Sequence, residues 1–243
     1  MPELPEVEIL VRQLAPRLSG ARIRSIEVRD PKIKLPRRII GRKIKRVRRR
    51  GKYIIFDLSG NMHLLVHLRM TGWLEFTEPK RWRVAIQAGK RKIYFEDGRR
   101  LGVMEMLTTN QLEHALSALG PDPLVRGGDL SRLAKTARPI KVALLDQRLV
   151  AGVGNIYASE SLWRAQINPR RRANRLRAQE LKALCRTIAD SMRKAISYGP
   201  RIFEVQQFAV YGREGNPCRR CGAAIRRVVQ AQRSTYFCPK CQR

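Results

Sequence analysis

KYIIFDLSGNMHLLVHLRMTGWLEFTEPKRWRVAIQAGKRKIYFED, residues 52–97, is the stretch whose reading decides the fold. It holds four apolar runs rich in Ile, Val, Phe and Tyr: KYIIFDL, MHLLVHLRM, WRVAIQA and RKIYFED, with SGN and AGK as turn signals between some of them. Runs of this length and composition, bounded by Gly and Asn, read as strands. Working outward toward the N-terminus, ARIRSIEV (21–28) and the basic IIGRKIKRVRRR (39–50) extend the set. A two-sheet sandwich is the economical way to bury so many apolar strand faces.

Further outward the period changes. Apolar residues from Val7 through Val11 and Leu14 to Leu18 recur at three-to-four spacing and predict an amphipathic helix, with Pro16 arguing for an early end or a kink. On the other side, Thr108 and Gln111 read as a capping box ahead of LEHALSAL, and GPDPL closes the unit, which puts a boundary around Pro121 to Pro123. From Asp129 to Gly199 the pattern is helical through DLSRLAKT, IKVALLDQ, NIYASESLWRA and AQELKALCRTIADSMRKAIS, and Gly199 and Pro200 supply the stop. Residues 201–243 are too short and polar to build an apolar core, so something must staple them. The reading is an α+β chain in three parts, 1–122, 123–204 and 205–243, without internal repeats.

Charge narrows the partner. The 243 residues carry 51 Lys+Arg against 20 Asp+Glu, a formal net charge of +31 spread along the whole length. Such a field attracts a polyanion, and nucleic acid fits because neutralised phosphates release counterions. A basic surface that serves only solubility is the plain alternative. No long apolar run supports a membrane partner. The start MPELPEVEIL has no basic n-region and does not read as a secretory signal, so the expectation is a cytoplasmic chain; a monomer associated with the nucleoid is expected as well.

Five cysteines in a cytosolic chain point to metal when four are paired by short spacings. Cys218 and Cys221 form one CxxC pair and Cys238 and Cys241 another, with sixteen residues between, the spacing in which two knuckles clamp one tetrahedral Zn²⁺. Four thiolates leave no open position for water, so the metal is structural and its binding folds the segment. Between the knuckles, AAIRRVVQAQRSTYF alternates as a β-hairpin would and carries Arg226, Arg227 and Arg233. It reads either as a basic finger laid on DNA or as a packing module. Cys185 stands apart on an apolar stripe with Leu181, Leu184, Ile188 and Met192 and reads as core.

The N-terminus carries a second chemical signal. Pro2 is small, so Met1 is removed and a secondary amine is exposed. An α-amino group titrates at about 7.7–8.0, against roughly 10.4 for lysine, so part of it is unprotonated and nucleophilic at neutral pH. Attack on the anomeric carbon of a deoxyribose expels the base and leaves an iminium that permits strand cleavage by elimination. Glu3 and Glu6, one helical turn apart, could divide acid and base roles beside it. The plain alternative is that they complement the helix dipole.

MPELPEVE at the start, LGPDPL at 119–124, VGNIYASESL at 153–162, VYGREGNPC at 210–218 and AQRSTYFCPKCQ at 231–242 together resemble the formamidopyrimidine-DNA glycosylase family, in that family's order. The resemblance implies an N-terminal β-sandwich bearing a reactive proline, a helix-two-turn-helix domain and a C-terminal zinc finger, with damaged duplex DNA in the cleft between domains. It implies that Pro2 is the Schiff-base nucleophile, Glu3 the acid acting at the sugar ring and Glu6 a supporting carboxylate. Lys52 in GKYIIF matches a lysine near the flipped nucleotide, although alone it reads as a strand-edge lysine. Asn155 opens a helix, where free N–H groups favour phosphate. Arg233 and Tyr211 resemble further phosphate contacts, and Lys141 and His67 join the same surface, although a lone strand histidine is more often packed or capped.

A glycosylase must extrude its nucleotide and fill the gap with side chains. HLRMTG and DGRRLG match the family's segments and nominate Met70, Arg99 and Leu101; without the resemblance, Met70 and Leu101 pass as core. Leucine stands where the family has phenylalanine. SYGPRIFEVQQFAVYG crosses quickly from the last long helix to the finger, where members that read 8-oxoguanine carry a longer loop. The implied activity is a bifunctional glycosylase and abasic-site lyase proceeding through β,δ-elimination. A relative specialised for oxidised pyrimidines, abasic sites or bulky adducts is the first alternative, and a non-catalytic damage-binding protein the second.

Overall fold

The computed structural model describes residues 2–125 and 130–243; Met1 and Asp129, at which the helical stretch opens, lie outside them. By contacts the chain divides into two compact units, Met1–Ala118 and Leu119–Arg243, so LGPDPL sits with the second.

The first unit is a β-sandwich. Strands β1 (Ile23–Val28), β6 (Val84–Ala88), β7 (Arg91–Glu96) and β5 (Trp73–Glu75) form one sheet in that order, and β2 (Ile44–Arg50), β3 (Tyr53–Leu58), β4 (Met62–His67) and β8 (Val103–Thr108) form the other. Every pairing is antiparallel. Ile54, Phe56, Leu58, Leu64 and Val66 meet Val84, Ile86, Ile93 and Phe95 in one core. The alternate residues Ile55 and Leu65 pack instead with Leu112 of α2 (Thr109–Ser117). Both faces of β3 and β4 are thus covered, which is why their sequences read as continuous apolar runs without a polar alternation.

Helix α1 (Leu4–Leu18) closes the same core with Val7, Leu10, Leu14 and Leu18. It begins one turn before the apolar period, because Pro5 is tolerated in a first turn, and it runs through Pro16, which sits in the last turn. The predicted strand MHLLVHLRM ends at His67, and Arg69 beyond it turns at φ 55°. Strands β5 and β8 are absent from the sequence reading: β5 has three residues, and the centre of VMEMLT, MEML, is built from residues that favour helices. The Thr108–Gln111 capping box is present, with Thr108 N–H donating to Gln111 Oε1 at 2.9 Å.

The second unit holds α3 (Ile140–Leu145), α4 (Asn155–Arg164), α5 (Ala178–Ser197), α6 (Ile202–Val205) and the hairpin β9 (Arg226–Gln230) and β10 (Arg233–Phe237). Of DLSRLAKT, the described residues hold a 3-10 helix, Ser131–Lys135. On α5 Leu184, Ile188 and Met192 are buried, whereas Leu181 and Cys185 are half-buried, so Cys185 lies at the edge of the core. Gly199 at φ 57° ends α5 in the left-handed conformation that glycine adopts most readily. Among the described residues no helix is long and apolar enough to cross a membrane.

Candidate functional site

Pro2 is half-buried and immediately precedes α1. Glu3 is the N-cap and Glu6 the third helical residue of a reciprocal capping box, with Glu3 N–H donating to Glu6 Oε2 at 2.8 Å. Both carboxylates are almost fully buried, at 1% and 3% exposure. Exposed first-turn acids that merely complement the helix dipole would remain in water. Here Glu6 grips the backbone that carries Pro2, so the N-terminal residue is held rather than frayed.

On the second sheet, Lys52 lies in the turn between β2 and β3, and His67 ends β4. Arg69 N–H donates to His67 Nδ1 at 3.0 Å, and the ring stands edge-on to Tyr53 with centroids 4.7 Å apart. Burial, then the charges of Arg69 and Lys52, push the histidine down to about 4. His67 is therefore neutral at pH 7, and because Nδ1 accepts, the ring proton sits on Nε2. Sequence reasoning expects a capped or a functional histidine; the ring is capped at one nitrogen and a donor at the other.

Met70 and the Arg99–Leu101 pair occupy two loops, 68–72 and 97–102. Met70 is half-buried, and Leu101 is 47% exposed, which removes the core reading for Leu101. A side-chain network built on the buried Asp30, Arg83 and Asp97, which the sequence does not single out, anchors both loops. Thr71 Oγ1 donates to Asp97 Oδ1 at 2.5 Å, Gly102 N–H donates to Asp97 Oδ2 at 2.6 Å, and Arg83 Nη1 donates to the same oxygen at 3.0 Å. Arg83 continues to Asp30 Oδ2 at 2.6 Å, and Arg100 reaches Asp30 Oδ1 at 2.5 Å. Arg100 chiefly holds Asp30 well below the usual carboxylate range; burial pushes Asp97 up, but Thr71, Gly102 and Arg83 outweigh it. An arginine inside the apolar run WRVAIQA was the one available sequence signal.

In the second unit, Asn155 is the first residue of α4 and donates through Nδ2 to the Ser234 carbonyl at 3.0 Å. Lys141 Nζ donates to the same carbonyl at 3.3 Å. Lys141 is 0% exposed rather than on the surface, and its ammonium fastens α3 to the hairpin next to Arg233. Arg233 itself is exposed. Tyr211 stands edge-on to Phe208 and to Tyr236, with centroids 5.5 and 5.3 Å away. Its backbone, with those of Ala209 and Val210, donates to the buried Glu160 carboxylate, each at 2.9 Å.

The four cysteines come together at the base of the hairpin, with all Sγ atoms within 4.8 Å of one another. Cys218 to Cys241 is 4.0 Å and Cys221 to Cys238 is 3.5 Å. Zinc–sulfur bonds of about 2.3 Å at tetrahedral angles put sulfurs roughly 3.8 Å apart, so the cage fits the ion. Arg220 N–H and Cys241 N–H donate to Cys218 and Cys238 sulfur at 3.5 and 3.3 Å, and Trp163 Nε1 to Cys218 at 3.4 Å, which stabilises thiolate charge. Burial and the neighbouring sulfurs push Cys241 up to about 12, the mutual repulsion that a divalent cation relieves.

Three family profiles match along the chain: formamidopyrimidine-DNA glycosylase N-terminal domain over residues 1–104, formamidopyrimidine-DNA glycosylase H2TH domain over 119–207, and zinc finger found in FPG and IleRS over 215–243. The chain belongs to the formamidopyrimidine-DNA glycosylase family. The glycosylase of Thermus thermophilus is 39% identical over 263 aligned positions, covering 100% of this chain and 98% of that one. That of Chloroflexus aurantiacus is 38% identical, with 100% and 98% covered. Among solved structures, Lactococcus lactis Fpg with abasic-site DNA superposes at a TM-score of 0.90, 34% identity and 100% of both chains. MutM (Fpg) of Thermus thermophilus gives 0.90 at 38% identity, with 99% and 98% covered. In this family setting the hairpin is a zinc finger with one structural Zn²⁺, and the +31 charge belongs to a DNA-binding repair protein.

Proposed function

We propose that the chain is a bifunctional DNA glycosylase and abasic-site lyase, acting as a monomer on oxidised bases in duplex DNA, with Pro2 as its nucleophile. The observation that carries this reading is the N-terminal arrangement: Pro2 ahead of a capping box whose two carboxylates are buried.

With Met1 removed, the Pro2 nitrogen attacks C1′, and the glycosidic bond breaks with its electron pair leaving on the base. Glu3 protonates O4′ as the ring opens to the iminium. Loss of a C2′ proton then expels the 3′ phosphate, and a second elimination expels the 5′ phosphate. Glu6 acts as the positioning residue that fixes the Glu3 backbone.

Lys52, Asn155, Tyr211 and Arg233 meet phosphates, joined by His67 as an Nε2 donor. Lys141 serves through the Ser234 carbonyl, setting the hairpin on which Arg233 stands. Met70, Arg99 and Leu101 fill the gap left by the extruded nucleotide.

The crossing from α5 to the finger favours a second reading of substrate. Residues 199–205 are taken up by a 3-10 turn and α6, Gln206 Nε2 donates to Tyr157 Oη at 3.1 Å, and Glu160 fastens 209–211. A segment so occupied has little length for capping a flipped purine, which favours oxidised pyrimidines, abasic sites or bulky adducts over 8-oxoguanine.

Borohydride trapping on an abasic-site duplex tests the reading. A covalent protein–DNA complex is expected, absent in a variant bearing an acetylated N-terminus; no complex with intact, Met1-free protein leaves a damage-binding protein. A lesion panel then tests substrate, and 8-oxoguanine opposite cytosine as the best substrate would overturn the argument from the crossing.

A further inference from the structure

Asp97 is the sole side chain among the described hydrogen bonds that is gripped from both wedge loops. Its Oδ1 accepts from Thr71, next to Met70, while its Oδ2 accepts from the Gly102 N–H, next to Leu101. Thr71 also accepts the Arg99 N–H at 3.3 Å, so one hydroxyl bridges the two loops directly. Each loop contains one non-glycine residue in the left-handed region, Arg69 and Arg100, both at φ 55°. Backbone of that kind persists only where its surroundings over-determine it.

The determinants here are visible. Gly102 has no room for a Cβ, which would lie 2.5 Å from the Phe95 ring, and Gly72 would place one 2.4 Å from the Leu68 carbonyl oxygen. Arg83 donates to the Gly102 carbonyl at 2.7 Å as well as to Asp97. Arg100 is tied to Asp30 through Nε and Nη2, whereas its exposed neighbours Arg99 and Leu101 have side chains that project from the same loop.

We propose that Asp97 and Thr71 form a clamp that sets Met70, Arg99 and Leu101 as one rigid unit, so that they enter the duplex together and jointly set the preference for the base opposite the lesion. The proposal rests on the reading of those three residues as the gap-filling set. Asp97 and Thr71 are positioning residues: they act through the loops and touch no DNA. A side chain entering a base stack tolerates little misplacement, and an error of about 1 Å can cost roughly 100-fold in rate.

Thr71→Val tests the clamp, because it removes the bridging hydroxyl while Asp97 keeps Arg83 and Gly102. Leu101→Ala and the double variant complete a cycle. Three readouts are taken on the full chain: single-turnover base release from duplex paired with each of the four opposite bases, cleavage of a preformed abasic site in single-stranded DNA, and thermal unfolding.

T71V is expected to slow duplex base release about tenfold, the scale of one hydrogen bond to a charged acceptor, and to flatten the opposite-base preference in the same sense as L101A. Single-stranded cleavage by T71V stays within about twofold, since no stack has to be opened there. The double variant is expected to be little worse than L101A alone, the signature of residues acting as a unit. An unaffected L101A overturns the gap-filling reading and the clamp with it. An impaired L101A with a normal T71V, or a strictly additive pair, overturns the clamp alone. Equal losses on duplex and single-stranded DNA assign Thr71 a general structural role and also overturn it.

Discussion

The loops at 68–72 and 97–102 and the turn of the zinc finger present exposed side chains on strained backbone, but they are held in opposite ways. In the sandwich, Arg69 and Arg100 lie at positive φ beside a large apolar core, and the anchor is the ion network of Asp30, Arg83 and Asp97. In the finger, Ala231 and Gln232 at φ 46° and 60° form the two-residue turn of the hairpin, and its buried cluster consists of Val210, Cys218, Ile225 and Cys238. Where a core exists, side-chain charges suffice to fix a loop. Where it does not, a metal must supply the folding energy.

Zinc removal should separate the two regions most sharply. Structural Zn²⁺ contributes about 10–16 kcal/mol to small finger domains, far beyond what four buried residues can replace. Chelation under reducing conditions, or Cys238→Ser, is expected to abolish hydrogen-exchange protection in residues 215–243 and DNA affinity with it, while the sandwich keeps its protection. A protected hairpin in metal-free protein would contradict the contrast.

The sandwich loops should break next, through charge. Arg83→Met leaves two buried carboxylates without their shared partner, which costs about 3–5 kcal/mol. Urea unfolding of the variant checks this, and a loss below about 1 kcal/mol would show that the network is dispensable.

Acid should sharpen the same comparison. His67 binds a proton at about 4 in the folded chain and near 6.5 when unfolded, so the unfolded state takes up more protons between those values. Stability from this group is full above about pH 6.5 and is lost as pH falls toward 4. Carboxylates follow: Asp57, which burial pushes up but the hydrogen bonds of Arg48, Arg46 and His63 together pull down to about 2, stabilises above about pH 4 and loses that contribution as pH falls toward 2. His67→Gln is expected to flatten the upper window and leave the lower one; an unchanged profile would contradict the neutral assignment.

The smallest effect lies in the finger turn. Ala231→Asn with Gln232→Gly supplies the residues that a type I′ turn prefers and should stabilise the hairpin by about 1 kcal/mol. It is read as a higher chelator concentration needed to strip the zinc, and no shift would mean that the turn carries no strain.

The same division explains what the sequence made legible. The zinc site is written in local spacing, and the sandwich in strand runs whose apolar character both sheets and α2 enforce, so both could be read directly. Asp30, Thr71, Arg83 and Asp97 are brought together by the registers of β6 with β1 and β7 and by the turn beyond β4, which no local pattern encodes. The resemblance nominates Lys141 as part of a surface, but its burial and its bond to the Ser234 carbonyl come from the packing of α3, which no local pattern shows. At the N-terminus the spacing of Glu3 and Glu6 was visible, but their burial and the grip of Glu6 on the Glu3 backbone were not.

The central claim remains that the Pro2 nitrogen forms the bond to sugar, and peptide mapping of the borohydride-trapped complex tests it most directly. After nuclease and trypsin digestion, the account predicts that the reduced sugar remnant is carried by the peptide of residues 2–12, with fragmentation locating it on the Pro2 nitrogen. A remnant on Lys52 or any other lysine, with an unmodified N-terminal peptide, would contradict it.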